Sequence, residues 1–108
     1  MSKQRAKGTR WETELLGELA NIFPHVERAP LKGVNDQGDF LNVNDWLLEA
    51  KSHKTPKFLA WADTCRSKTD TNGKPWAVLW HGDRRTRQGQ PLALLDLDTF
   101  LELLEATR

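Results

Sequence analysis

At 108 residues the chain has room for one hydrophobic core and no second domain. Its 38% hydrophobic and 29% charged residues describe a soluble globular domain rather than a disordered segment, and no apolar run approaches the roughly 18 residues that cross a bilayer. A net charge of +1 excludes a uniformly basic nucleic-acid binder, yet the charge is unevenly spread. Lys3, Arg5, Lys7 and Arg10 make a basic N-terminus, Arg84, Arg85 and Arg87 form a second basic cluster, and Asp96 to Glu105 is acidic. Localised basic clusters on a neutral chain are compatible with phosphate contacts. From the polar N-terminus no secretory signal is expected, and the single cysteine, Cys65, has no intramolecular disulfide partner. A cytoplasmic protein with no membrane association is expected. Cys65 is expected as a small buried helix residue.

Residues 1–8 read as a flexible basic arm, and residues 9–108 as the folded domain. Thr9 offers an N-cap with Glu12 as its capping-box partner, so the first helix is expected from Thr9 to about Asn21, before Pro24. At about 100° per residue, Trp11, Leu15, Leu16, Leu19, Ile22 and Phe23 fall within an arc of about 140°. Glu12 falls inside that arc. It either caps the helix or projects a carboxylate toward whatever the apolar face covers.

His25 to Ala29 reads as a short strand ended by Pro30, and residues 31–38 as a loop. A second helix is expected from Pro56 or Lys57, with Phe58, Leu59, Trp61, Ala62 and Cys65 on its apolar side. Asn72-Gly73 marks a turn. Trp76 to Trp80 reads as a central strand buried on both faces, His81 to Pro91 as a polar loop, and Leu92 to Leu97 as a further strand. Asp98 is expected to cap a last helix. This order, helix, three strands, helix, two strands, helix, predicts an α/β domain with a central mixed β-sheet flanked by helices.

The stretch from Gly38 to Lys51 carries the chemistry. Phe40, Leu41 and Val43 on one side, and Trp46, Leu47 and Leu48 on the other, read as two short strands around an Asn44-Asp45 turn. Alternation puts Glu49 and Lys51 on one face. A connection of one, three or five residues places Asp39 on that face too; a two-residue turn places it on the other unless a bulge intervenes. Opposed carboxylates would have Cβ atoms roughly 5 Å apart and would repel unless a cation joins them. A hard divalent metal such as Mg2+ fits such a pair. The plainer reading is a solvated Asp and a surface Glu–Lys pair; the apolar residues flanking Glu49 and Lys51 weigh against it.

Taken together, Lys7-Gly8-Thr9-Arg10-Trp11-Glu12, Arg28-Ala29-Pro30, Gly38-Asp39 and Glu49-Ala50-Lys51-Ser52 resemble the PD-(D/E)XK nuclease superfamily, and within it the archaeal-type Holliday-junction resolvases and their phage and bacterial relatives. The motifs cover residues 7–52; the remainder agrees in element order and length. The resemblance implies a single-domain restriction-endonuclease-like fold and a prokaryotic or phage-encoded enzyme. Its implied activity is metal-dependent hydrolysis of phosphodiester bonds in branched DNA, with Mg2+ as cofactor and Mn2+ as an acceptable substitute. Glu12, Asp39 and Glu49 match the metal-binding carboxylates, and Lys51 the lysine that positions or activates the attacking water. Lys7, Arg10, Arg28, Lys32, Arg84, Arg85 and Arg87 are the expected DNA contacts.

Gly38 stands where the motif has proline, Lys32-Gly33 where many resolvases have Ser-Gly, and Thr13 where an arginine often follows the helix glutamate. The alternatives are a repair, nicking or restriction-type nuclease of the same fold, or a junction-binding module that does not cut. A homodimer is expected, because two symmetric nicks need two sites. Trp61, Trp76 and Trp80, with Phe100, Leu101 and Leu104, look like more apolar surface than one small core can cover. The interface would then be built after residue 55, with both sites facing a basic surface of the N-terminal arm and Arg28. His53 and His81 read as polar loop residues.

Overall fold

A computed structural model describes residues 3–30, 38–70, 73–82 and 89–108. The elements follow as α1 (Lys3–Ala20), β1 (Glu27–Arg28), β2 (Phe40–Leu41), β3 (Leu47–Lys51), α2 (Phe58–Thr69), β4 (Trp76–Trp80), β5 (Leu92–Leu95) and α3 (Leu97–Ala106). The expected order is met. β3, β4 and β5 form a mixed sheet, β3 parallel to β4 and β4 antiparallel to β5. β1 and β2 make a separate antiparallel pair. Among the described residues, no helix is long and apolar enough to cross a membrane.

The central strand is buried on both faces because its residues alternate between two helices. Trp76, Val78 and Trp80 join Leu47, Trp61, Ala62 and Cys65 in a cluster on the α2 side. Ala77 and Leu79 face the other way, with Trp11, Leu15, Phe40, Val43 and Leu48 on the α1 side. The two helices thus sandwich the sheet. Trp61, Trp76 and Trp80 are all buried in the core, so they are not interface residues as expected. The part of the expected apolar surface on the last helix, Phe100, Leu101 and Leu104, is exposed as expected. Leu97, Phe100, Leu101, Leu103 and Leu104 are all exposed, and no residue of α3 is buried.

Several local expectations need correction. The first helix begins at Lys3, so Thr9 lies inside it and residues 3–8 are helical rather than an arm. Thr9 does not cap; its carbonyl accepts a hydrogen bond from the Thr13 hydroxyl at 2.9 Å. Glu12 is therefore not part of a capping box. Ile22 lies past the helix end and is exposed, and Leu59 points away from the core at 83% exposure. The last helix begins at Leu97, with Asp96 rather than Asp98 at its cap position.

The hairpin expected between Phe40 and Leu48 does not form. β2 pairs with β1, and the one bridge linking the Gly38–Asp39 segment to β3, Gly38 with Leu48, is parallel. The five residues between the strands include Asn42, Asn44 and Asp45 with φ of 64°, 57° and 68°. These side chains tolerate the left-handed region, and three such residues turn the chain away from a ladder.

Candidate functional site

The site lies along the free edge of β3. In the order β3-β4-β5, β3 is an edge strand, with outward backbone groups that need partners. The Gly38–Asp39 segment supplies them. The Asp39 amide donates to the Leu48 carbonyl at 2.8 Å, and the Ala50 amide donates to Asp39 Oδ2 at 2.7 Å. The Asp39 carboxylate thus takes the place of a ladder acceptor, which brings it beside Glu49 by a route other than the expected cross-strand pairing. Gly38 makes the approach possible. Its φ is +90°, and a Cβ there would lie 2.6 Å from the Leu48 carbonyl oxygen and 2.9 Å from the Leu48 nitrogen. Proline, whose ring fixes a negative φ, could not occupy this position.

Glu49 belongs to the α2-facing series Leu47, Glu49, Lys51. Its register partner on β4 is Val78, which is fully buried, and Glu49 itself is only 7% exposed. A carboxylate so placed needs a counter-charge. It finds one in Lys68 of α2, whose Nζ donates to Glu49 Oε1 in a close ion pair. Lys68 was not expected at the site. A signal for it existed: Lys68 is seven residues beyond Trp61, about 20° short of two full turns, and so shares the face of α2 that Trp61 buries.

Asp39 carries the electrostatic signature of the arrangement. Burial first, then the charge of Glu49, push its carboxyl from 3.8 up to about 7; the Ala50 amide opposes this, while the charge of Glu12 and a hydrogen bond with Glu49 add to it. The Asp39 and Glu49 carboxyls therefore meet, and Glu12 is near enough to be felt. Lys51 belongs to the same surroundings. Burial pushes the Cys65 thiol up to about 11, and the charges felt there include Glu49 and Asp39 raising it and Lys68 and Lys51 lowering it. Cys65 is thus held protonated, and it is a buried helix residue as expected. Among the described residues, the Lys51 ammonium makes no ion pair or hydrogen bond.

Glu12 is half-buried on α1 and accepts a hydrogen bond from Arg28 Nη2 at 3.0 Å. The helix is seated by Trp11, whose Nε1 donates to the Leu79 carbonyl at 2.8 Å and whose ring meets His81 edge-on. Gly8 passes 3.8 Å from Ser52 Oγ, measured from where its Cβ would be, so the start of α1 lies over the end of β3. Arg10 is exposed on α1, and Lys7 lies in its first half. Lys32, Arg84, Arg85 and Arg87 fall outside the described residues. His53 is half-buried against Trp61. Its carbonyl accepts the Trp80 indole N–H at 2.6 Å, and its Nδ1 is buried without a hydrogen-bond partner among the described residues.

Among the described residues, no three His, Cys, Asp or Glu side chains are gathered around one point as a metal centre would gather them. Two of the three carboxylates are instead held by cations of the protein, Glu12 by Arg28 and Glu49 by Lys68. In kind, the donors fit a hard divalent ion, which prefers carboxylate oxygen. The Asp39 carboxyl is raised by burial first and by the charges of Glu49 and Glu12 after it, so the protein's own cations do not cancel the field of those two carboxylates at Asp39. Compared with known proteins, the chain matches no family model, no curated protein and no solved structure.

Proposed function

We propose that this protein is a metal-dependent endodeoxyribonuclease of the PD-(D/E)XK type, acting on branched DNA such as a four-way junction and working as a homodimer. The observation that carries the reading is the meeting of the Asp39 and Glu49 carboxyls at the edge of β3, with Lys51 on the same strand face and Glu12 close by. The Ala50 amide needs an acceptor, but a neutral side-chain oxygen would serve it as well; a second carboxyl beside Glu49 adds a repulsion that this structural role does not require. Perturbed carboxyls of this kind cluster at functional sites.

Asp39 and Glu49 would hold the divalent ion, with Glu12 as the third carboxylate once Arg28 yields it. A bound divalent ion supplies a nucleophilic water at neutral pH and neutralises charge on the phosphate. Lys51, on the same strand face as Glu49, would hold that water or the phosphate oxygens through its ammonium. Arg28, with its side chain 38% exposed, can pass from Glu12 to a backbone phosphate. The preference for branched DNA rests on the likeness of residues 7–52 to the resolvases.

A second reading, a junction-binding module that does not cut, is favoured by one observation: Glu12 and Glu49 are both already neutralised by the protein's own cations. Cleavage assays separate the two. Purified protein is incubated with labelled four-way junction, duplex and single-stranded DNA, with Mg2+ or with EDTA. We expect Mg2+-dependent cutting of the junction, lost in Lys51→Ala with folding unchanged by circular dichroism. Junction binding without cutting at any Mg2+ or Mn2+ concentration would establish the binding module, and preferential cutting of duplex would move the protein to a general nuclease of this type.

A further inference from the structure

Each carboxylate of the site that is paired is paired with a cation of a different strength of hold. Arg28 and Glu12 meet near the surface, with side chains 38% and 23% exposed, where an ion pair contributes little and exchanges freely. Lys68 and Glu49 are different. The Glu49 side chain is 9% exposed and that of Lys68 24%, and their contact is close. Lys68 reaches it from α2, next to buried Thr69 and three residues beyond Cys65, so its position is set by a packed helix rather than by a mobile loop. Glu49 lies in register with Val78, and its charge is felt by Cys65, both residues essentially without solvent contact.

From this we infer that Lys68 is the site's resident counter-ion: its ammonium occupies the position in front of Glu49 that a divalent cation must take, and metal binding requires Lys68 to withdraw. The inference rests on the metal-dependent reading above and adds a regulatory role for a residue that reading does not use. A buried carboxylate left without its cation must take up a proton or another cation, so the departure of Lys68 and the entry of a metal are coupled. In the metal-free state Lys68 keeps Glu49 compensated. When a divalent ion enters, the two positive charges repel, and the flexible lysine stem carries the ammonium outward. Apparent metal affinity is thereby set by a competition inside the protein, independent of DNA.

The test is Mn2+ binding by isothermal titration in the absence of DNA, on wild type, Lys68→Met, Lys68→Arg and Asp39→Asn. Lys68→Met keeps the apolar stem and removes the charge. Even with the full screening of bulk water, removing a unit charge about 5 Å from a divalent ion strengthens its binding by roughly tenfold. We expect Lys68→Met to bind Mn2+ at least that much more tightly than wild type, Lys68→Arg to bind as wild type does, and Asp39→Asn to bind more weakly. Unchanged or weaker binding in Lys68→Met, or equal tightening in Lys68→Arg, overturns the resident counter-ion while leaving the metal-dependent reading intact. Absence of Mn2+ binding in wild type and Lys68→Met alike overturns both. If Lys68→Met does not fold, the wild-type protein still decides. The Lys68 ammonium resonance should shift on Mg2+ titration while that of exposed Lys57 does not, and a Lys68 resonance unmoved at saturating Mg2+ rejects the exchange.

Discussion

Replacing Asp39 by Asn should stabilise the metal-free protein, and should do so only where the Asp39 carboxyl of the unfolded chain is ionised, above about pH 3.8. Asn keeps a side-chain oxygen that can accept the Ala50 amide, so the edge of β3 retains its partner. What it removes is a negative charge beside Glu49. The Asp39 carboxyl is raised from 3.8 to about 7, by burial and then by the charge of Glu49. A group whose native value is raised lends stability in its protonated form, fully below the unfolded value, and loses it as pH climbs through the native one. The window therefore runs from pH 3.8 to about pH 7. Counted in full, the difference is on the order of 4 kcal/mol at pH 8. Partial exposure and relaxation of the carboxyl bring the expected gain of Asp39→Asn to about 2 kcal/mol. For a domain of this size that is a rise in Tm of roughly 10 °C. Thermal unfolding followed by circular dichroism in EDTA, at about pH 8 and about pH 5, measures it; the advantage at the lower pH should be about a third of that at the higher. A variant no more stable than wild type at pH 8, or equally advantaged at both pH values, would refute the electrostatic account of Asp39.

Gly38→Ala should destabilise by about 2–4 kcal/mol in urea unfolding, because a Cβ at φ +90° meets Leu48 backbone atoms at 2.6 and 2.9 Å; a cost below about 1 kcal/mol would show that the segment can move off β3 freely. Sedimentation equilibrium should find a dimer in wild type and a monomer in Leu101→Glu/Leu104→Glu, whose side chains lie on the exposed apolar face of α3; an unaltered dimer would place the interface elsewhere. Changing Arg84, Arg85 and Arg87 together to Ala should flatten the salt dependence of junction binding by about 0.9 in log–log slope for each phosphate no longer neutralised; an unchanged slope would show that this segment faces away from DNA.

The parts of the fold that alternation alone decides were legible in the sequence. Trp76 to Trp80 reads as a strand buried on both faces because every residue of the run is apolar, and so it is. Glu49 and Lys51 share a face because the period of a strand is two, whatever the strand pairs with. The position of Asp39 was not decidable in that way. Sequence offered a parity argument that assumed a hairpin, while the chain reaches the same neighbour by laying Gly38 and Asp39 along the free edge of β3. That depends on Gly38 at positive φ and on Asn42, Asn44 and Asp45 in left-handed conformations, a combination in which each residue is ordinary turn chemistry and only their sum redirects the strand. The helix start failed for a related reason. Thr9 and Glu12 satisfy a local capping rule, but a good cap residue within a run that can already be helical is overridden by the turns before it.

Lys68 shows where local reasoning stops and packing begins. Its helical phase puts it on the buried side of α2, and a buried lysine must find an acid; both statements follow from the sequence. Which acid it finds depends on the parallel register that sets Glu49 opposite Val78, and on α2 crossing that part of the sheet. The same crossing explains why Cys65, three residues earlier on the helix, senses all four of Asp39, Glu49, Lys51 and Lys68. A cysteine held protonated at the centre of such a cluster adds no charge of its own. Because Cys65 also belongs to the core between α2 and the sheet, a bulkier or ionised side chain there would disturb the packing that holds α2, and with it the helix that presents Lys68 to Glu49.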